Sequence, residues 1–178
     1  MLNISPQKTT ACFNTSKICG EIFTLPHALT IEQQAISLRI ASALLQHVQA
    51  MNLGRVLQTP SGVLLSKQRI QPDILFVARE RRGIIGETAL YAAPDMIVDI
   101  LSPQFQEKDF RVKKRLYEFF KVREYWIANP DDCTVEVLVW SELGYIPIGR
   151  YGKRDHLSTP LLPNLDLRLS IIFATEED

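Results

Sequence analysis

The period of apolar and polar residues changes several times along the chain, and each change marks an element. Ile31, Ala35, Leu38, Leu45 and Val48 recur at helical spacing up to a stop at Gly54. Thr30-Ile31-Glu32-Gln33 has the form of a capping box, in which a hydroxyl and a side-chain amide satisfy the first free N–H groups. A helix over 31–51 is expected, with that stripe on its buried face. Short β-like runs follow: Val56 to Gln58, Val63 to Leu65, Asp73 to Val77 and Asp95 to Leu101. Pro72 and Pro94 each stand just before a strand, where a missing N–H does least harm. A second helix is predicted over 108–121, with Val112, Leu116, Phe119 and Phe120 as its apolar stripe.

Beyond it, Glu124 to Ala128 reads as a strand and Asn129-Pro130-Asp131-Asp132 as a turn. Thr134 to Trp140 alternates, Ser141 to Gly144 makes a hairpin loop, and Tyr145 to Tyr151 returns. The tail, with Pro160, Pro163 and a closing Ile171-Ile172-Phe173, reads as a loop ended by a small packing segment. This order predicts an α/β fold: a mixed sheet flanked by helices.

Composition narrows the picture. At 178 residues and 46% hydrophobic, the chain fills one core rather than two. Residues 1–20, Ser/Thr-rich and without a period, are expected to be a loosely ordered lead-in or an edge strand, and 21–178 a single domain. Lys plus Arg equals Asp plus Glu at 20 each, so global charge demands no polyanionic partner. Local charge is less even. The stretch Lys108 to Arg123 holds seven basic residues against Asp109 and Glu118, and Arg79, Arg81 and Arg82 form a second cluster. Either could track phosphates or simply be a solvated face. Cys12, Cys19 and Cys133 are odd in number and lack CxxC spacing, which fits a reducing cytoplasm better than a disulfide framework or a zinc site. No apolar run approaches a membrane span, and an unexported protein is expected. His27, His47 and His156 lack metal-ligand spacing, and no GxGxxG, Walker, HExxH or GxSxG pattern occurs.

The chemistry concentrates in two carboxylates. Asp99 interrupts the apolar run Ile97-Val98-Asp99-Ile100-Leu101, where a lone charge costs several kcal/mol unless it is paired, protonated or metal-bound. Asp73, in Gln71-Pro72-Asp73-Ile74, opens the preceding long strand. The second helix carries Asp109, Lys113 and Tyr117 at i, i+4 and i+8, a polar stripe beside the apolar one that can reach a site on the sheet. Two oxygen-donor side chains on neighbouring strands suit Mg²⁺, with Mn²⁺ as a substitute, and such a cation would suit phosphodiester hydrolysis. A buried Asp99–Lys113 ion pair accounts for the same residues without a metal.

The run from Pro72-Asp73, through Ala93-Pro94-Asp95-Met96-Ile97-Val98-Asp99-Ile100-Leu101-Ser102-Pro103, to Asp109, Lys113, Tyr117 and Val122-Arg123-Glu124-Tyr125-Trp126-Ile127-Ala128-Asn129-Pro130 resembles the Uma2 restriction-endonuclease family of the PD-(D/E)XK nuclease superfamily. The resemblance implies a restriction-endonuclease-like fold, DNA as partner, and a metal held by Asp73 and Asp99 with help from the Ile100 carbonyl. It makes Lys113 the catalytic lysine, with Asp109 and Tyr117 supporting it, Tyr117 through a hydroxyl that orients the lysine. Glu21 is a further acidic candidate. In the superfamily pattern a lysine stands two residues after the second acid; here that position is Leu101. The family's usual glutamate is Asp99, its Asp-Pro is Asn129-Pro130, and its early helix histidine is replaced by Gln33-Gln34. Tyr125 and Trp126 read as core packing. A homodimer would suit a duplex with two strands to cut. A silent member that binds nucleic acid or protein, and a hydrolase of another phosphoester, remain open from the sequence.

Overall fold

The computed structural model describes residues 13–18, 21–26, 30–59, 61–66, 68–101 and 107–175, with side chains outside the description at 13–18, 21–26 and 107–109. In chain order the elements are β1 (Phe13–Ile18), β2 (Glu21–Pro26), α1 (Ile31–Ala50), β3 (Gly54–Gln58), β4 (Gly62–Leu65), β5 (Gln68–Ile70) and β6 (Ile74–Ala78). A 3₁₀ turn (Arg79–Ile84) leads to β7 (Ala89–Leu90), β8 (Met96–Ile100), α2 (Glu107–Phe119) and β9 (Glu124–Asn129). β10 (Thr134–Ser141), β11 (Gly144–Gly152), β12 (His156–Leu157), β13 (Leu167–Arg168) and α3 (Leu169–Ile172) complete the chain.

A six-stranded sheet in the order β11-β10-β9-β8-β6-β3 is the frame. It is antiparallel except at β8 and β9, which run parallel because α2 carries the chain back between them. Strand alternation divides the core into two layers. Ile74 and Phe76 of β6, Met96 and Val98 of β8, and Trp126 and Ala128 of β9 face α1. Leu75 and Val77, Ile97, and Tyr125 and Ile127 face α2. The three-stranded sheet β5-β4-β7 lies on the α2 side, since Val63, Leu65, Ile70 and Leu90 join that layer. β1 pairs antiparallel with β2.

α1 begins as its sequence predicts. Gln33 N–H donates to Thr30 Oγ1 at 3.2 Å, and Thr30 N–H to Gln33 Oε1 at 2.8 Å. Its buried face differs from the expected stripe. Ile36, Ile40, Ala41, Leu44 and Val48 pack on the sheet, whereas Ile31, Leu38 and Leu45 are exposed. The helix is apolar around much of its circumference, so two stripes compete, and the one spaced i, i+4, i+5, i+8 gives the sheet a continuous ridge. At its far end the chain turns into β3 at Gly54, where a Cβ would collide with the Val77 carbonyl of β6.

Candidate active site

Asp73 and Asp99 come together because β6 and β8 are neighbours in register. Ile74 pairs with Val98, so continuing that antiparallel register by one residue sets Asp73, just ahead of β6, opposite Asp99. Both fall on the α2 side. Asp73 Oδ2 accepts the Ile100 N–H at 2.7 Å, which ties the first carboxylate to the strand holding the second.

Asp99 is 1% exposed and is gripped from two elements. Its Oδ2 accepts the hydroxyls of Tyr125, from β9, at 3.0 Å and of Tyr117, from α2, at 3.3 Å. Lys113 Nζ lies 3.1 Å from Oδ1, close enough for an ion pair, yet among the described residues Oδ1 makes no properly angled hydrogen bond. The two oxygens therefore differ: Oδ2 is saturated by neutral donors, while Oδ1 keeps a lone pair for a cation. Burial and the Asp99 charge hold both phenols well above the usual range, so they stay protonated donors.

Asp73 responds to the same crowding. Burial and then the nearby Asp99 charge push its carboxyl from 3.8 up to about 6, against the opposing pull of the Ile100 N–H and Lys113. An Asp73 carboxyl that resists ionising, beside an Asp99 oxygen that accepts no hydrogen bond among the described residues, fits a hard divalent cation. Among the described residues no group of three His, Cys, Asp or Glu side chains could form a metal cage. A bound ion would thus take two carboxylates, a backbone carbonyl such as that of Ile100, and water. Mg²⁺ tolerates such a set because it retains several waters.

Each predicted residue can now be placed. Asp73, Asp99 and Lys113 converge as expected. Tyr117 departs from its expected role, because its hydroxyl is directed to Asp99 Oδ2. Asp109 lies on α2 and Glu21 on β2, but both side chains fall outside the described residues. Of the basic cluster, Arg81 is engaged structurally: it ion-pairs with the buried Asp95 at 3.0 Å, as Arg123 does at 3.4 Å. Two residues join the site that sequence reasoning had not given a role there. Tyr125, read as packing, is both core and Asp99 donor. Gln33 Nε2 donates to the Leu101 carbonyl at 3.0 Å, so the first turn of α1 braces the end of β8. Parallel pairing of β8 with β9 would have exposed Tyr125, since it stands opposite Ile97, two residues from Asp99 on the same face.

A mixed sheet flanked by helices, with two carboxylates on adjacent strands and a lysine from one of those helices beside them, has a restriction-endonuclease-like fold. The Uma2 family, described as "Putative restriction endonuclease", matches residues 14–170, and the chain belongs to it. A solved structure from Anabaena variabilis ATCC 29413, described as a "putative nuclease belonging to DUF820", shares the fold. Its TM-score is 0.75 at 19% identity, over 89% of each chain. No curated protein matches.

Proposed function

We propose that this protein is a Mg²⁺-dependent endodeoxyribonuclease, with Mn²⁺ able to substitute. The observation carrying the reading is the Asp73–Asp99 pair with the Lys113 ammonium at its edge. Asp73 and Asp99 Oδ1 would hold the ion, which supplies a Lewis acid for the scissile phosphate. Lys113 positions the attacking water and offsets charge as the new P–O bond forms and the ester P–O bond breaks. Tyr117 and Tyr125 fix the rotation of Asp99, and Ile100 N–H fixes Asp73. DNA is the proposed substrate, the cytoplasm the proposed location, and a homodimer the proposed assembly for duplex cleavage.

One observation favours a second reading. Lys113 already neutralises Asp99, as it would in a silent member of the family whose acidic site serves stability and which binds nucleic acid or protein. Incubation with supercoiled plasmid and Mg²⁺ or Mn²⁺ decides between them. Nicking by the wild type that is lost in Asp73→Asn and Lys113→Met supports the nuclease. Intact plasmid, together with no Mg²⁺-dependent rise in melting temperature, supports the silent reading. Intact plasmid with cleavage of a small phosphodiester would make DNA the wrong substrate.

A further inference from the structure

A cleft of about 500 Å³ opens beside β3, the edge strand of the six-stranded sheet. It lies at the far end of β6 from Asp73, because Gly54 pairs with Ala78 while Asp73 precedes Ile74. Five residues of strand, about 17 Å, separate the two. Gln49 and Asn52 from the end of α1, Arg55 from β3 and Arg82 from the 3₁₀ turn bring side-chain N–H groups to the cleft. Among the described residues no carboxylate lines it.

The 3₁₀ turn shows what a paired arginine does here. Arg81 meets the buried Asp95 at 3.0 Å and also donates to the Ala93 carbonyl at 2.8 Å. Arg55 and Arg82 are exposed and, among the described residues, have neither an ion pair nor a side-chain hydrogen bond. In a chain with 20 basic and 20 acidic residues, two unpaired guanidiniums on one cleft make a local positive excess. An arginine beside the C-terminus of a helix ordinarily serves its free carbonyls. Here backbone donors have taken them: Met51 N–H bonds the His47 carbonyl at 3.0 Å, Asn52 N–H that of Gln49 at 3.1 Å, and Leu53 N–H that of Val48 at 2.9 Å. The backbone under the two arginines is held too. Arg55 stands in register opposite Val77, and Ile85 N–H donates to the Arg82 carbonyl at 3.1 Å.

We propose that this cleft binds a phosphate group, held by the Arg55 and Arg82 guanidiniums with the Gln49 and Asn52 amides beside it. Each guanidinium offers a planar fork of N–H donors that matches two phosphate oxygens, and two forks suit a tetrahedral anion better than the two oxygens of one carboxylate. Two sources share this chemistry: the backbone of DNA, gripped far from the cut, and a free phosphate compound. The site is separate from the acidic pair, and its occupancy by inorganic phosphate does not depend on the nuclease reading.

The test uses the full chain in EDTA, so that no metal recruits phosphate to the acidic pair and nothing is cut. Inorganic phosphate, titrated against sodium chloride of equal ionic strength, should raise the wild-type melting temperature saturably, above the steady rise that an excluded anion gives any fold. Arg55→Gln and Arg82→Gln, at exposed positions, should melt as the wild type does without phosphate and bind it about tenfold more weakly, the loss of one charge-assisted contact. Arg79→Gln, which removes an exposed arginine outside the cleft, should behave as the wild type. Fluorescence anisotropy with a labelled DNA duplex then separates the sources. With the backbone as source, the double variant Arg55→Gln, Arg82→Gln flattens the slope of log K against log salt by about 1.8. An unchanged slope, or no duplex binding, assigns the site to a free phosphate compound. No saturable rise in the wild type, the same rise in the two variants, or an equal loss in Arg79→Gln would overturn the proposal.

Discussion

Replacing Asp73 with asparagine should stabilise the metal-free protein. Its carboxyl stands at about 6 in the folded chain against 3.8 as a free side chain, a difference worth about 3 kcal/mol between its protonation states. Because the folded value is the higher one, the folded state binds the proton more tightly. The contribution is fully present below pH 4 and is lost as pH rises through about 6. At pH 8 the wild type therefore carries the whole cost of an ionised Asp73 beside Asp99. Asparagine imitates the protonated carboxyl and can still accept the Ile100 N–H. Asp73 is partly solvent-exposed, and screening trims the expected gain to about 2 kcal/mol. Urea unfolding in EDTA at pH 8 and at pH 3 measures it, with Asp73→Asn more stable than the wild type at the first pH and equal to it at the second. Added Mg²⁺ should then raise wild-type stability and leave the variant unmoved. A variant less stable at pH 8, or a difference that ignores pH, would refute the burial and charge crowding that hold the Asp73 carboxyl up.

Tyr125→Phe leaves a buried carboxylate oxygen with one phenol in place of two, and should cost about 1.5–3 kcal/mol in urea unfolding without metal. Lys113→Met should lower plasmid nicking at least ~10²-fold, as loss of a charge-stabilising donor does. By unpairing Asp99 it should also enlarge the Mg²⁺-induced rise in melting temperature, which differential scanning fluorimetry reads. On α1, Ile40→Ala should cost about 2–5 kcal/mol and Leu38→Ala less than about 0.5 kcal/mol by chemical denaturation, since Ile40 is 0% and Leu38 59% exposed. The reverse ranking would restore the stripe expected from spacing alone.

The sequence was most legible where local chemistry is strong. Thr30 and Gln33 announced α1 because their cap bonds form within one turn, and Asp99 announced the site because nothing local explains a charge in an apolar strand. The orientation of α1 was not legible, since Ile31, Leu38 and Leu45 are as apolar as Ile36, Ile40 and Leu44; the sheet, not the helix, chooses between the faces. β7, β12 and β13 are two residues each and are held by partners distant in sequence, below what any period can show. Tyr125 was half legible. Its burial followed from its apolar neighbours, but its bond to Asp99 follows only from the parallel pairing of β8 with β9.

Leu101 and Lys113 connect these points. Positions 99 and 101 face the same way on a strand, and the Leu101 side chain packs into the layer under α2, where a strand lysine would otherwise stand. The ammonium comes instead from α2, and Lys113 and Tyr117, four residues apart, each take one Asp99 oxygen. Docking of α2 and assembly of the site are thus one event. It follows that Asp99→Ala cannot isolate catalysis: it removes a proposed metal ligand and also takes away the carboxylate that Lys113 and two buried hydroxyls meet, so lost activity there would equally report a loosened helix. The Asp73 carboxyl has no such double duty, since its described contacts are one backbone N–H and the field of its neighbours. A variant at Asp73 that is more stable and yet inactive separates chemistry from folding, and the nuclease reading should be judged at that residue.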